Sequence, residues 1–410
     1  LKTRFEKEIR EIISGETWGS MDITEPNAGS DMAMLSSRAE QDANGAWHVT
    51  GQKIFITSGH GNYHIVIARH VPHGKTSEPG LKGLSLFLVP TFETLADGTQ
   101  KRHVVIDRLE EKIGHHGSAT CSVIFDKSPA ILIGNTGDGF KHMLLLMNSA
   151  RLGVGFEALG LSECAYRLAR DYAAERKSMG KTIDRHELIA DYLDEMRTDI
   201  QGVCALCMYG AYHEETAQRL RIQESASADN EMDAARRKQM IKRHSAKARR
   251  VTPLLKYLAA EKSVAMARMS LQIHGGVGYS TEYGPEKLLR DSLVTPIYEG
   301  TSQIQSLMAM KDTLGAVLKN PQLWLRRKAQ AHWRSVSARD PMERRVARLK
   351  SLSYASIQYL LKQVMAAKFK GVAAQPMNAW PEALRSSWDP KRDFSYGLLH
   401  AERLTKMLTD

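Results

Sequence analysis

The sequence predicts an α+β fold: a small β-barrel or sandwich, then a bundle of helices, then a helical C-terminal extension. Three observations carry that expectation. From Trp18 to about Gly134, short alternating or apolar runs are separated by turn residues, whereas after Asp138 the apolar spacing becomes helical and stays so. The 410 residues, 42% hydrophobic and 25% charged, have an ordinary globular composition and suffice for two or three domains with large cores. The net charge of +11 lies wholly in the tail: residues 315–410 hold 18 Lys and Arg against 7 Asp and Glu, and the first 314 residues carry 39 of each sign.

Residues 1–14 read as a helix, with Phe5, Ile9, Ile12 and Ile13 at helical spacing and Gly15 as the stop. The chain starts with Leu inside this helix, so a preceding portion is expected to be missing. Strands are expected at Met21–Thr24, Ala46–Thr57, Tyr63–Ala68, Leu84–Val89, His103–Ile106 and Thr120–Phe125, punctuated by Asn44-Gly45, Gly59–Asn62 and Asp97-Gly98. Long helices follow at Gly139–Tyr172, His186–Ala217 and Met240–Ile273, with a polar surface excursion at Ile222–Arg237; the pattern after Glu299 completes a four-helix bundle. Further helical patterns lie near residues 341–370 and 395–408. The domain division expected is therefore 1–16, 17–134, 135–314 and 315–410.

No apolar run suggests a membrane span and no signal h-region is evident, so a soluble intracellular protein is expected, cytoplasmic or, in a eukaryote, of the mitochondrial matrix. Four cysteines are too few and too scattered for a disulfide framework. Cys204 and Cys207 form a C-x-x-C inside an apolar helical run, where they read as two small residues on a buried face rather than as metal or redox ligands.

Chemistry concentrates between Leu271 and Ile304. The run Gln272-Ile273-His274-Gly275-Gly276-Val277-Gly278-Tyr279 leaves backbone N–H groups bare, as a phosphate or cofactor site requires, although such a run also makes a plain turn. Glu299 stands alone among Ile297, Tyr298, Gly300 and Thr301; desolvation there raises a carboxyl pKa and suits it to general-base work, unless the residue is merely a solvated helix start. The loop Ile23-Thr24-Glu25-Pro26-Asn27-Ala28-Gly29-Ser30-Asp31 combines fixed bends with hydroxyls and amides, as an anion or ring cradle does, or as a turn does. Arg151 lies between apolar turns, where a guanidinium needs a partner.

These segments resemble the acyl-CoA dehydrogenase family, in which Gln-x-x-Gly-Gly-x-Gly-Tyr is joined to Ile-Tyr-Glu-Gly-Thr and an earlier loop reads Thr-Glu-Pro-x-Ala-Gly-Ser-Asp. The resemblance covers residues 1 to about 314, with most of an N-terminal helical domain absent. It implies FAD as cofactor and removal of hydrogens from the α and β carbons of an acyl-CoA thioester, with Glu299 as the α-proton base. It assigns the flavin to Ile23, Thr24, Ser30, Phe55, Thr57, Arg176, Ser178, Met179, Gln272, Gly275, Gly276, Thr301 and Gln303, and the substrate to Ser30, Asn148, Arg151 and Tyr298. Arg176 would reach the flavin pyrophosphate of a neighbouring subunit in a homodimer or homotetramer. Three departures stand out: Phe55 replaces a commoner Trp, Met179 replaces an aromatic, and Asn148 replaces an acidic residue. The long C-terminal region and the segment Glu111–Cys121 look most like the subgroup that includes 3-(methylthio)propanoyl-CoA dehydrogenases. An electron-transfer flavoprotein or similar acceptor is the implied redox partner.

The tail interleaves Trp324, Trp333, Trp380 and Trp388 with Arg326-Arg327-Lys328, Arg344-Arg345 and Lys391-Arg392. It reads either as a helical extension with a charged outer face or as a surface for nucleic acid, anionic lipid or a CoA phosphate. A basic-tailed flavoprotein that associates with DNA and has little dehydrogenase activity is thus the alternative reading. A nitroalkane-oxidising relative is a third, but that branch carries Asp where Glu299 stands.

Overall fold

The computed structural model describes residues 4–226, 231–385 and 393–409. The chain divides into two compact units, Leu1–Ala150 and Arg151–Asp410.

The first unit opens with helix α1 (Glu6–Ser14), which buries Phe5 at its start but leaves Ile9, Ile12 and Ile13 exposed. The expected strands form, as β1 (Gly19–Asp22), β2 (Arg38–Gln41), β3 (Trp47–Thr57), β4 (Tyr63–Val71), β5 (Leu84–Pro90), a small hairpin of β6 (Phe92–Thr94) and β7 (Gln100–Arg102), β8 (Val104–Leu109) and β9 (Thr120–Ile133). Pairing runs β4–β2–β3–β9–β5 and returns from β5 to β4, so the sheet closes on itself as a barrel and leaves no free edge within that ring. The long strand β9 makes closure possible: one side pairs with β3, while the other pairs first with β8 and then with β5. Alternate residues of these strands, among them Val49, Val66, Phe87, Val89, Val123 and Phe125, fill the interior. Beside Phe125 a buried polar knot forms, with Asp22 and His64 paired at 2.9 Å and Ser20 and Thr91 bonded to the same ring.

Helix α2 (Gly139–Glu175) crosses from the first unit into the second. By length and composition it is apolar enough to cross a membrane, which departs from the expectation that no run reaches that size. Its small residues Ala158, Ala165, Ala169 and Ala173 are instead fully buried against α3 (Glu187–Ala226) and α4 (Glu231–His274), with Met196, Ile200, Val203, Leu255 and Met266 filling the seam. Cys207 is a core residue there, and burial followed by the neighbouring Cys204 pushes its thiol up to about 12, so the C-x-x-C behaves as packing. The surface excursion expected at Ile222–Arg237 is mostly helix: α3 and α4 run on past their apolar stripes, and residues 227–230 lie outside the described residues. Polar helix ends of this kind are held by tertiary packing further along the same helix.

After α5 (Pro285–Ser292) come α6 (Ser302–Lys319), α7 (Pro321–Ser337) and α8 (Pro341–Ala373). Residues on both sides of position 314 share one core: Met310, Leu314 and Val317 of α6 pack with Ile357, Leu360 and Val364 of α8 and with Ala401 and Leu404 of the last helix, Ala401–Thr409. Trp324 is spent in this core, edge-on to Tyr354, whereas Trp333 is exposed. Trp388, Lys391 and Arg392 lie outside the described residues. Tyr257 of α4 donates to Glu402 Oε1 at 3.1 Å, which ties the extension to the same helix that borders the candidate site.

Candidate active site

In the second unit, α4 ends at His274 and turns through the short helix Gly275–Tyr279 into α5; the chain then crosses residues 293–301 before α6 begins. That crossing is pinned from below. Thr295 is fully buried and bonded to Ser263 Oγ at 3.0 Å, and Ser302 Oγ donates to Glu261 Oε1 at 2.5 Å, so both ends of the loop are fixed to α4. Thr301 caps α6, its Oγ1 accepting from Ile304 N at 3.3 Å.

Between these anchors the backbone is strained. Glu299 has φ 53° and Gly300 φ 88°, two successive left-handed residues. A Glu in that region costs about 1–3 kcal/mol and persists only where its surroundings over-determine it. Here the carbonyl does so: Glu299 O accepts from Arg151 Nε at 3.0 Å and from Gln305 Nε2 at 3.2 Å, and Gly300 O accepts from the same Gln305 amide at 3.1 Å. Arg151 and Gln305 are themselves buried. The loop is therefore held by its main chain, and the Glu299 carboxylate is left for other work.

The electrostatics suit a base. Burial raises the Glu299 carboxyl above its ordinary value, while Arg151 and then Lys256 pull it back. Burial likewise lowers the Arg151 guanidinium, with Glu299 opposing. Among the described residues the Glu299 N–H makes no backbone hydrogen bond. Tyr298 gives its hydroxyl hydrogen to Glu157 on α2, and burial together with that bond raises its pKa.

Gly300 shows how little room this leaves. A Cβ at Gly300 would lie 2.6 Å from Gln305 Nε2 and 3.4 Å from Arg151 Nη2. The Gln305 amide cannot retreat without giving up both carbonyls. We expect Gly300→Ala to lose about 1–3 kcal/mol and to displace the Glu299 carbonyl, read as a lower urea midpoint; an unchanged midpoint would show that the loop is not held as described.

Other residues expected at a flavin site fall into three places. In the first unit, Ile23 and Thr24 meet strand β3: Ile54 N donates to Thr24 O at 2.9 Å and Lys53 Nζ to Ile23 O at 2.9 Å. β3 bulges between Lys53 and Ile56, where Phe55 takes φ 59° and leaves its ring 61% exposed. Phe55 is thus no core aromatic; it is a bare ring face on a rigid strand, and Thr57 is exposed beside it. Ser30 is exposed on the loop, and Asn148 is half-buried on α2.

In the second unit, Arg176, Ser178 and Met179 ride an exposed hairpin of two-residue strands, Lys177–Ser178 with Lys181–Thr182; Met179 is 92% exposed at φ 49°. Gln272 and Gln303 are exposed, and Cβ atoms added at Gly275 or Gly276 would meet nothing within 4 Å. Taken separately, the unpacked aromatic face beside an uncovered hydroxyl in the first unit is of a kind that suits a flat ring, and the open glycine backbone in the second is of a kind that suits a phosphate. Among the described residues, three of the six non-glycine residues at positive φ are Phe55, Met179 and Glu299, each within a motif singled out in the sequence.

Four residues escaped the sequence reading. Glu25 and Lys53 form a buried pair at 2.8 Å under the Thr24 loop, and Gln305 and Lys256 border Glu299. Lys256 left one signal, a lone cation in the apolar run Leu254-Leu255-Lys256-Tyr257-Leu258-Ala259.

Comparison with known proteins agrees with this geometry. The family description "Acyl-CoA dehydrogenase, middle domain" matches residues 20–128, and "Acyl-CoA dehydrogenase, C-terminal domain" matches 137–229 and 228–314. A butyryl-CoA dehydrogenase of Syntrophomonas wolfei is 31% identical over 336 residues, which cover 75% of this chain and 52% of the relative. A 3-methylmercaptopropionyl-CoA dehydrogenase of Ruegeria pomeroyi is 30% identical over 315 residues, covering 73% and 50%. The chain thus spans about half the length of these relatives. Among solved structures, Caenorhabditis elegans ACDH-11 in complex with C11-CoA shares the fold at TM-score 0.67 and 23% identity, over 95% of this chain and 63% of that one.

Proposed function

Since the chain belongs to the acyl-CoA dehydrogenase family, we propose that it carries the catalytic portion of an FAD-dependent acyl-CoA dehydrogenase, which converts an acyl-CoA thioester to the trans-2-enoyl-CoA. One observation carries this reading: Glu299 is the half-buried carboxylate of a strained loop held through its own and the next carbonyl by Arg151 and Gln305, so its side chain is not spent on holding the loop.

The thioester acidifies the α carbon, and Glu299 removes that proton as general base. Burial makes Glu299 a stronger base than a surface carboxylate, with Arg151 and then Lys256 opposing that rise. The Glu299 N–H, without a backbone acceptor among the described residues, would be the donor that polarises the thioester carbonyl as charge develops on it. Bound FAD would supply the acceptor for the hydride leaving the β carbon. In the first unit Phe55 would offer a flavin a stacking face and Thr24 and Thr57 their hydroxyls; in the second, taken by itself, Thr301 and the Gly275-Gly276 backbone would offer donors. Arg151 acts through the Glu299 carbonyl, and Tyr298, its hydroxyl engaged by Glu157, presents its ring to the acyl group.

The exposed Arg176 hairpin suits contact with a second subunit's flavin, so a homodimer or homotetramer is the proposed assembly. An electron-transfer flavoprotein or similar acceptor is the proposed partner, and fatty-acid metabolism in the cytoplasm the proposed setting.

An anaerobic titration of the FAD-loaded protein with acyl-CoAs of graded chain length, together with 3-(methylthio)propanoyl-CoA, tests the reading. Bleaching of the flavin by at least one thioester is expected. A flavin that stays oxidised with every member of the panel would overturn it.

A further inference from the structure

We propose that Gln305 is a positioning residue for the reaction: its side-chain amide clamps two successive carbonyls and thereby sets where the Glu299 carboxylate stands. The proposal rests on the reading of Glu299 as the base.

The clamp is built from direct contacts. Gln305 Nε2 donates to Glu299 O at 3.2 Å and to Gly300 O at 3.1 Å, so both amide hydrogens are spent on one pair of peptide units. The two carbonyls reach one donor in a loop where Glu299 and Gly300 are both left-handed. Arg151 Nε bonds only the first of them, and its Nη1 turns to Met308 Sδ at 3.5 Å. Among the described residues, Gln305 is therefore the side chain that holds both.

The amide has no slack. Gln305 is fully buried on the first turn of α6, its own N–H donates to Thr301 O at 2.9 Å, and Ser302 of the same turn donates to Glu261 of α4. Its Oε1 is buried too and has no hydrogen-bond partner among the described residues. Turning the amide over would set that oxygen against two carbonyl oxygens, so the clamp itself dictates the orientation. A buried acceptor left unpaired is costly, and here it is the consequence of keeping both donors on the loop.

What the clamp controls is the direction of the base. The orientation of the Glu299 carbonyl fixes the peptide that follows its Cα, and a left-handed Glu persists only where such contacts hold it. Without the Gln305 amide, the peptide between Glu299 and Gly300 can turn over, because glycine accepts either sign of φ. Glu299 then relaxes to a common conformation and its carboxylate moves. A displacement of about 1 Å at a reacting group costs about 10²-fold in rate.

The test uses Gln305→Leu and Gln305→Glu in the FAD-loaded chain. We expect Gln305→Leu to slow flavin reduction at saturating acyl-CoA by about 10²-fold, while the half-saturating acyl-CoA concentration holds, the mark of a contact that serves the transition state. Gln305→Glu keeps the shape of the side chain. As a neutral acid it returns one donor to the clamp, and as a carboxylate it sets charge against two carbonyls, so its rate relative to wild type should fall as pH rises. Wild-type limiting rates in both variants overturn the proposal, and so does a Gln305→Glu ratio that is flat with pH. A second measurement needs no turnover. Glu299→Gly, which releases the strained residue, should raise the urea midpoint in the wild-type background and leave it unmoved in Gln305→Leu, where the loop has already relaxed. An equal gain in both backgrounds shows that Gln305 does not hold the strain and overturns the proposal. The same cycle runs in the isosteric Gln305→Glu on the alkaline side should Gln305→Leu not fold. Should Glu299→Gln reduce flavin at the wild-type rate, the base reading itself fails, a result separate from either Gln305 outcome.

Discussion

Glu299→Gln is expected to retain the fold and the bound yellow cofactor while slowing flavin reduction by an acyl-CoA by about 10²–10⁴-fold, the range a positioned general base supplies. The expectation of an intact fold comes from how the loop is held. Arg151 and Gln305 grip the Glu299 carbonyl, and neither is hydrogen-bonded to its carboxylate. Gln has the same shape and tolerates the same backbone, so only the proton acceptor is lost. Glu299→Gly gives an independent check, because glycine adopts φ 53° freely. It should be more stable than the wild type by roughly 1 kcal/mol and equally inactive. A site that gains stability when its central residue is removed holds strain for a purpose. Rapid-mixing spectroscopy at the flavin band measures the first effect and urea unfolding the second; full reduction by Glu299→Gln, or a less stable Glu299→Gly, would contradict the account.

The pH dependence has a definite sign. A base must be unprotonated, and burial raises the Glu299 carboxyl above its ordinary value, so flavin reduction should increase as pH rises through that elevated pKa. A surface carboxylate would have placed the same limb at lower pH.

Glu299 was singled out in the sequence by the run Ile297-Tyr298-Glu299-Gly300-Thr301 following the glycine-rich segment Gln272–Tyr279, since a lone carboxylate beside glycine is by itself an ordinary helix start. Its anchoring was not legible, since Arg151 and Gln305 converge on it from helices separated by about 150 residues of chain, a contact no local pattern encodes. The strands of the first unit were readable from alternation and turns, which left barrel and sandwich both open; the resemblance implied a barrel, and a barrel forms. Its closure depends on β4 running parallel to β2 and antiparallel to β5, pairings set by the whole sheet rather than by any one turn. Phe55 shows the same limit in one residue: alternation puts it on a strand, and only the bulge decides that its ring faces outward. The polar stretch Ile222–Arg237 misled in the opposite direction, because a helix already committed by its buried half carries polar residues at its end without needing an apolar stripe there. In the tail, the interleaved Trp and Arg residues share one pattern but divide in fate, Trp324 into the core and Trp333 to the surface.

The second large effect is expected where the sequence offered a motif but no role. Lys53 Nζ donates to Glu25 Oε1, Ile23 O and Ile67 O at 2.8–2.9 Å, which uses all three of its hydrogens. Glu25 in turn accepts from Ser36 N and Oγ and from Ser37 N. Both side chains are sealed from water, yet every donor and acceptor between them is matched, the condition under which a buried pair is tolerated. Burial pushes the Glu25 carboxyl up, but the Lys53 ammonium and the serine donors outweigh it and bring it from 4.5 to about 2. A lowered carboxyl stabilises the fold above its unfolded value and loses that contribution as pH falls toward the folded one, so the window is about pH 4.5 down to about 2. Removing one partner strands the other: Glu25→Gln is expected to cost about 3–5 kcal/mol at neutral pH, and the difference from wild type should shrink steadily through that acid window. Hydrogen exchange of the β3 and β4 amides reads the local opening directly, since Lys53 joins those two strands to the Thr24 loop. Protection that falls in Glu25→Gln by the same factor at pH 7 and at pH 3 would mean that the pair's charge contributes nothing. The loop would then be held by packing alone, and its bond from Ile54 N to Thr24 O would survive the substitution.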